Sequence, residues 1–419
     1  MEYIKKNLGS YNIHLIKNDN FKGIIVKVLF KEKIKKENIT IRNFLTSLLV
    51  YSSKNYNTKR KMEIERENLY DAGIYSESGR IGNYLSTSIS LSVLNDNYTE
   101  KGNFEKALKF FSEVILNPNV SDFAFDEKTF NIIMNDVALK LTSVKENKAS
   151  YSVIRCLEES FKDSPIGYRG VGYLEDLKKI TKENLLDYYN YMLKNDDMDI
   201  FVIGDIDILE MDKSIRKYFK SRKYKKREED FIIEHKKKRL IPKKIIEKDN
   251  SNQSKLVLAY KLMNLTDFER NYVLSLYNII LGGGPDSKLF KDVREKNSLC
   301  YTIGTNISKL DNLMLLRAGI TRNNYEKTLK LINKNVKNMS KGKFSLEDIN
   351  SAVEMYSSSL KTIVESEEEL IGTYYIMDLL KTDPIDKRLE KMKEVTKEDI
   401  INLSKKVKLE TIYMLEGVK

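Results

Sequence analysis

Histidine is almost missing from this chain: 419 residues contain two, His14 and His235, and they lie far apart. Chemistry that needs paired imidazoles on one helical face is therefore excluded from the chain taken alone. Cysteine is equally scarce. Cys156 and Cys300 give no disulfide framework and suit a reducing compartment. No apolar run approaches the roughly 18 residues needed to cross a bilayer. The first residues, MEYIKKNLGSYNIHL, show neither an apolar signal core nor a small-residue cleavage site. These absences point to a cytoplasmic protein with no membrane association.

What is abundant is lysine, and the formal net charge is +12. A nucleic-acid partner is not the reading it favours, because Lys, Ile, Asn and Tyr are all frequent together. The densest basic run, Lys217 to Lys244, also carries Glu228, Glu229, Asp230 and Glu234, with Pro242 inside it. Mixed charge and a proline suit a solvated linker. The expected division is residues 1–220, a linker at 221–245, and 246–419.

The two halves echo each other. ITKENL (Ile180 to Leu185) and VTKEDI (Val395 to Ile400) each place a Thr to cap a helix, with acidic residues in the first turn. An apolar strand follows each, Asp199 to Asp205 and Thr411 to Gly417. Strands are also expected at Ile24–Phe30, Lys255–Lys261 and Met314–Ile320, and a hairpin at Ile74–Ser78 and Tyr84–Leu94. Helices are expected at Ile41–Tyr51, Phe104–Leu116, Phe130–Leu141, Glu269–Leu281, Tyr325–Met339 and Leu346–Val364. The pattern predicts α+β: two homologous domains, each a mostly antiparallel sheet covered by helices.

The most distinctive stretch is LGGGPDSKLFKDVREKNSLCY, Leu281 to Tyr301. It matches no nucleotide-binding glycine pattern and follows a helix, where a nucleotide loop would follow a strand. Read by itself, it is a helix end and a tight turn. Its run of glycines followed by L-F-x-x-V-R-E-K-x-x-L-x-Y resembles the second-half signature of the insulinase/pitrilysin zinc peptidases, processing peptidases included. Gly172, Leu177, Ile180, Thr181, Glu183, Leu185, Val202, Gly204 and Asp205 resemble the end of that family's first half. The resemblance implies the processing-peptidase fold enclosing a peptide chamber.

Active members of that family hold zinc on an H-x-x-E-H helix, two imidazoles binding the metal and the Glu activating its water. The corresponding positions here are Asn43, Thr46 and Ser47, a degenerate set that gives no metal site. The nearest counterpart of the acidic third ligand is Asn135 or Asp136. The resemblance assigns Tyr301 to transition-state stabilisation and Arg294 to substrate positioning. Gly282, Gly283 and Gly284 become candidate substrate contacts. Relatives that divide the labour pair such a chain with a zinc-bearing homologue. The expectation is a heterodimer that cleaves peptide, with zinc in the partner; the alternative is a non-catalytic peptide-binding or scaffold subunit.

Overall fold

Six strands from the first half of the chain join one sheet: β1 (Glu2–Asn7), β2 (Asn12–Lys17), β3 (Gly23–Lys33), β4 (Gly73–Ile81), β5 (Tyr84–Leu94) and, beyond a small hairpin of β6 (Val120–Ser121) and β7 (Ala124–Phe125), β8 (Asp197–Gly204). Their order is β1-β2-β8-β3-β5-β4. This is a computed structural model, and residues 1–222, 224 and 230–418 are described. Alternation does the sorting. Ile24, Val26, Val28 and Phe30 of β3 and Ile89, Leu91 and Val93 of β5 share one core with the helices Asn38–Leu49 and Asn103–Leu116.

The second half repeats the plan with β9 (Lys243–Asp249), β10 (Ser254–Leu262), β11 (Cys300–Ser308), β12 (Leu313–Ile320) and β13 (Val407–Gly417), ordered β11-β12-β10-β13-β9. Strand for strand this is the path β4-β5-β3-β8-β2. Each sheet has one parallel pair, β2 with β8 and β9 with β13, in the same place. Both expected helix starts are capping boxes, at Thr181 and Thr396, and each helix leads into the strand beside that parallel partner. The architecture is therefore α+β, two homologous units of mostly antiparallel sheet with helices. Among the described residues, no helix is long and apolar enough to cross a membrane.

Three sequence expectations meet a different structure. The chain divides into Met1–Ser143 with Arg169–Asp230, and Val144–Tyr168 with Phe231–Lys419. The helix Lys148–Ser160 thus packs in the second unit, its Cys156 against Val257, Ala259, Tyr413 and Leu415. Amphipathicity shows that a helix buries a face, not which sheet receives it. Part of the expected linker is also built in. Phe231, Ile233 and His235, every second residue, are buried, and the Ile233 amide donates to the Leu310 carbonyl at 2.7 Å. Pro242 immediately precedes β9, whose hydrogen bonds begin after it. Residues 223 and 225–229 of that run lie outside the described residues. Finally, the helix expected from Glu269 opens with a π segment, Glu269–Val273, before the α-helix Leu274–Gly282.

Candidate functional site

In the second unit the helix Leu274–Gly282 ends against β11. None of Gly282, Gly283 and Gly284 has a positive φ, so conformational freedom is not what they supply. Space is. A Cβ on Gly282 would stand 2.7 Å from Thr305 Oγ1 and 3.0 Å from Leu289 Cδ1. One on Gly283 would stand 2.8 Å from the Ile279 Cα. Gly282 is enclosed, whereas Gly283 and Gly284 are half-buried. The Ser287 hydroxyl donates to the Gly284 carbonyl at 2.6 Å and closes the turn.

A second π segment, Phe290–Glu295, follows and carries Arg294, whose guanidinium lies 4.6 Å from the centre of the Phe290 ring. The chain then turns through Ser298, at φ 51°, into β11. Tyr301 sits where the β11–β12 register slips, between Cys300 opposite Ile320 and Thr302 opposite Gly319. β11 is a sheet edge, and Tyr301 is 75% exposed. Burial pushes the neighbouring Cys300 thiol up to about 11, with the Arg294 charge pulling the other way, so Arg294 and this end of β11 share one locality. Among the described residues, neither the Arg294 guanidinium nor the Tyr301 hydroxyl has a hydrogen-bond or ion-pair partner.

In the first unit, Asn43, Thr46 and Ser47 do come together. They line a cavity of about 220 Å³ with Ser76 and Ser78 of β4, Val137, Lys140 and Leu141 of the helix Glu127–Thr142, and Val171. Asn135 and Asp136 are exposed and do not line it. The helix lines the cavity with buried Val137, with Leu141 and with the exposed Lys140 at its rim instead, which corrects the acidic counterpart proposed from sequence. The donor set does not fit zinc. The Asn43 amide donates to the Gly170 carbonyl at 2.8 Å, and Thr46 and Ser47 hydroxyls donate back to Arg42 and Asn43 carbonyls. Lys140 adds a positive charge where a cation would need carboxylate, thiolate or imidazole.

Beneath that cavity lies a buried ionic lock that sequence reasoning did not single out. Arg42 reaches Asp196 at 2.5 Å and Glu32 at 3.1 Å, and also donates to Thr87, Tyr188 and the Phe30 carbonyl. A signal was available: RNFLTSL from Arg42 recurs as RNYVLSL from Arg270.

The two histidines are occupied elsewhere. His14 is buried with one ring nitrogen 2.8 Å from the Tyr3 hydroxyl and the other 3.1 Å from Asp199, which Lys31 also pairs at 3.0 Å. His235 meets the Asp311 carbonyl at 2.9 Å, and burial depresses its basicity. Burial pushes the Cys156 thiol up to about 12, which suits a core residue better than a nucleophile. Among the described residues, no group of three or more His, Cys, Asp or Glu side chains could hold a metal ion.

Comparison with known proteins agrees with this geometry. Residues 179–356 match the peptidase M16 inactive domain. The chain is 26% identical over 421 residues to the "Probable inactive metalloprotease YmfF" of Bacillus subtilis (strain 168), covering 99% of this chain and 98% of that protein. It superposes on a conserved protein from Enterococcus faecalis V583 with a TM-score of 0.91 and 26% identity, covering 99% and 98% of the two chains. A peptidase M16 inactive domain from Pseudomonas fluorescens shares the fold, with a TM-score of 0.82 at 15% identity over 100% and 99% of the two chains. With its duplicated sheet order and its Arg–Tyr stretch, this chain is similar to the inactive members of the insulinase/pitrilysin (M16) metallopeptidases, and it lacks the zinc motif.

Proposed function

We propose that this chain is the non-zinc subunit of a heterodimeric peptidase and supplies Arg294 and Tyr301 in trans to a zinc-bearing H-x-x-E-H homologue. Alone it is not an active metallopeptidase, since Asn43, Thr46 and Ser47 offer nothing that would retain catalytic zinc. The observation that carries the reading is the state of the pair. A buried strand start and a helix-surface salt bridge would have accounted for Tyr301 and Arg294 structurally, yet Tyr301 is 75% exposed and, among the described residues, neither polar group has a hydrogen-bond or ion-pair partner.

The chemistry follows from the groups. The Tyr301 hydroxyl donates a hydrogen bond to the oxygen of a peptide carbonyl as negative charge develops there. The Arg294 guanidinium, planar and permanently charged, holds neighbouring substrate carbonyls or carboxylates. In this reading the half-buried Gly283 and Gly284 offer backbone to the peptide, and Gly282 seats the turn that precedes Arg294. Peptide as substrate and the cytoplasm as location belong to the same proposal.

The test mixes the purified chain with an H-x-x-E-H homologue and follows cleavage of an unstructured fluorogenic peptide. Tyr301→Phe and Arg294→Ala should each lower kcat of the mixture by about a hundredfold while leaving the melting temperature in place. Unchanged rates would end the shared-site reading and favour a peptide-binding or scaffold subunit.

A further inference from the structure

The second sheet is covered unevenly on the face turned away from its main core. The helix Lys148–Ser160 packs over β10 and β13 and stops short of β11. A hollow of about 310 Å³ remains, running from Ala149 and Ser152 across Val257 to Gly319, Gly304 and Thr302. Its floor depends on glycine: a Cβ at Gly319 would stand 2.9 Å from Gln253 Nε2 and 3.0 Å from Thr302 Oγ1.

Two cations meet there because of register. Arg317 is opposite Gly304 on one neighbouring strand and Val257 on the other, and Lys255 is opposite Gly319. Each is steered by a neutral amide: Lys255 donates to the Gln253 side-chain oxygen, and Arg317 to that of Asn306. Among the described residues, no carboxylate lines the hollow. An ammonium has three donors and a guanidinium five, so each keeps donors to spare.

We propose that this hollow binds the carboxylate of an acidic peptide and gives the site described above a preference for Asp or Glu near the bond it presents. The proposal rests on the peptidase-subunit reading for its place in the reaction. Thr302, in the wall of the hollow, directly follows Tyr301. An extended peptide advances about 3.3 Å per residue and neighbouring strands lie about 4.8 Å apart, so Arg317 on β12 and Lys255 on β10 stand within a few residues' reach of a bond at Tyr301. Arg317 and Lys255 are specificity residues here, not catalytic ones.

The test reads binding to the full chain alone, without partner or cleavage. A labelled unstructured peptide carrying one Glu is compared with its Gln counterpart at low salt. The Glu peptide should bind about tenfold more tightly, and Lys255→Gln with Arg317→Gln should erase the difference at an unchanged melting temperature. Equal affinity for the two peptides overturns the proposal, as does a preference that survives the double substitution. A single-stranded oligonucleotide that binds more tightly than the Glu peptide through the same two residues also overturns it. The peptidase-subunit reading can fail separately, because only cleavage by the mixture tests Tyr301.

Discussion

Arg42 and Arg270 open the same phrase in two homologous helices, and both are nearly removed from water, at 0% and 4% exposed. Their partners differ. Glu32 and Asp196, which face Arg42, are themselves buried, with side chains 2% and 0% exposed. Glu234 and Asp267, which face Arg270, are 50% and 87% exposed. A buried cation between buried anions is a lock, because removing one member strands the others in low dielectric. A buried cation whose anions are exposed is a tether, since water takes over those ion pairs when it goes and only its neutral acceptors, Asn312 and the Leu265 carbonyl, lose a buried donor. Duplication kept the arginine while the first unit enclosed its counter-charges and the second left them wet.

Breaking the lock should be the costliest single change. Arg42→Ala should lower unfolding free energy by about 3–5 kcal/mol in chemical denaturation. Its pH dependence sharpens the point. Burial, with Glu32 adding, pushes the Asp196 carboxyl up to about 6 although Arg42 pulls it down. A folded pKa above the unfolded value of about 4 favours folding most at low pH, and that contribution fades as pH rises through about 6. Without Arg42 the Asp196 carboxyl takes up its proton more readily, so the deficit of Arg42→Ala should shrink between about pH 8 and about pH 5. A deficit that is the same at both would mean the lock is not electrostatic.

Gly282→Ala comes next, at about 2 kcal/mol, because its Cβ would press on Thr305 and Leu289. Adding Thr305→Ser, which removes the methyl 2.9 Å from that Cβ, should recover part of the loss. No recovery would show that the helix end is seated by something else. Arg270→Ala should cost least, about 1 kcal/mol, with little change between the same two pH values. A loss as large as that of Arg42→Ala would erase the distinction between lock and tether.

Much of this architecture is legible in the sequence. Period-two runs such as YLSTSISLSVL mark their own strands, and Thr181 and Thr396 mark two helix starts, because these signals act within a few residues. The Arg–Tyr stretch is legible as well, since a signature is a local string. Less visible is anything set by distant pairing. β1 and β2 read as polar, mixed segments, and Lys140 gives no hint that it faces Asn43 and Ser47 across a cavity. Where charges bury together, as at Arg42, composition suggests solvent and only the three-dimensional neighbourhood reverses that.

The placement of Lys148–Ser160 bears on how the chain is made. That helix leaves the ribosome long before β13, the last strand of the chain and one of the two strands it covers. Until then its Cys156 face has no sheet to rest on. The second unit can close only after β13 has been made, so the helix waits on a strand far downstream of it. A cut in the charged run would not release two self-sufficient halves, because the upstream piece would carry away a helix that the downstream sheet requires.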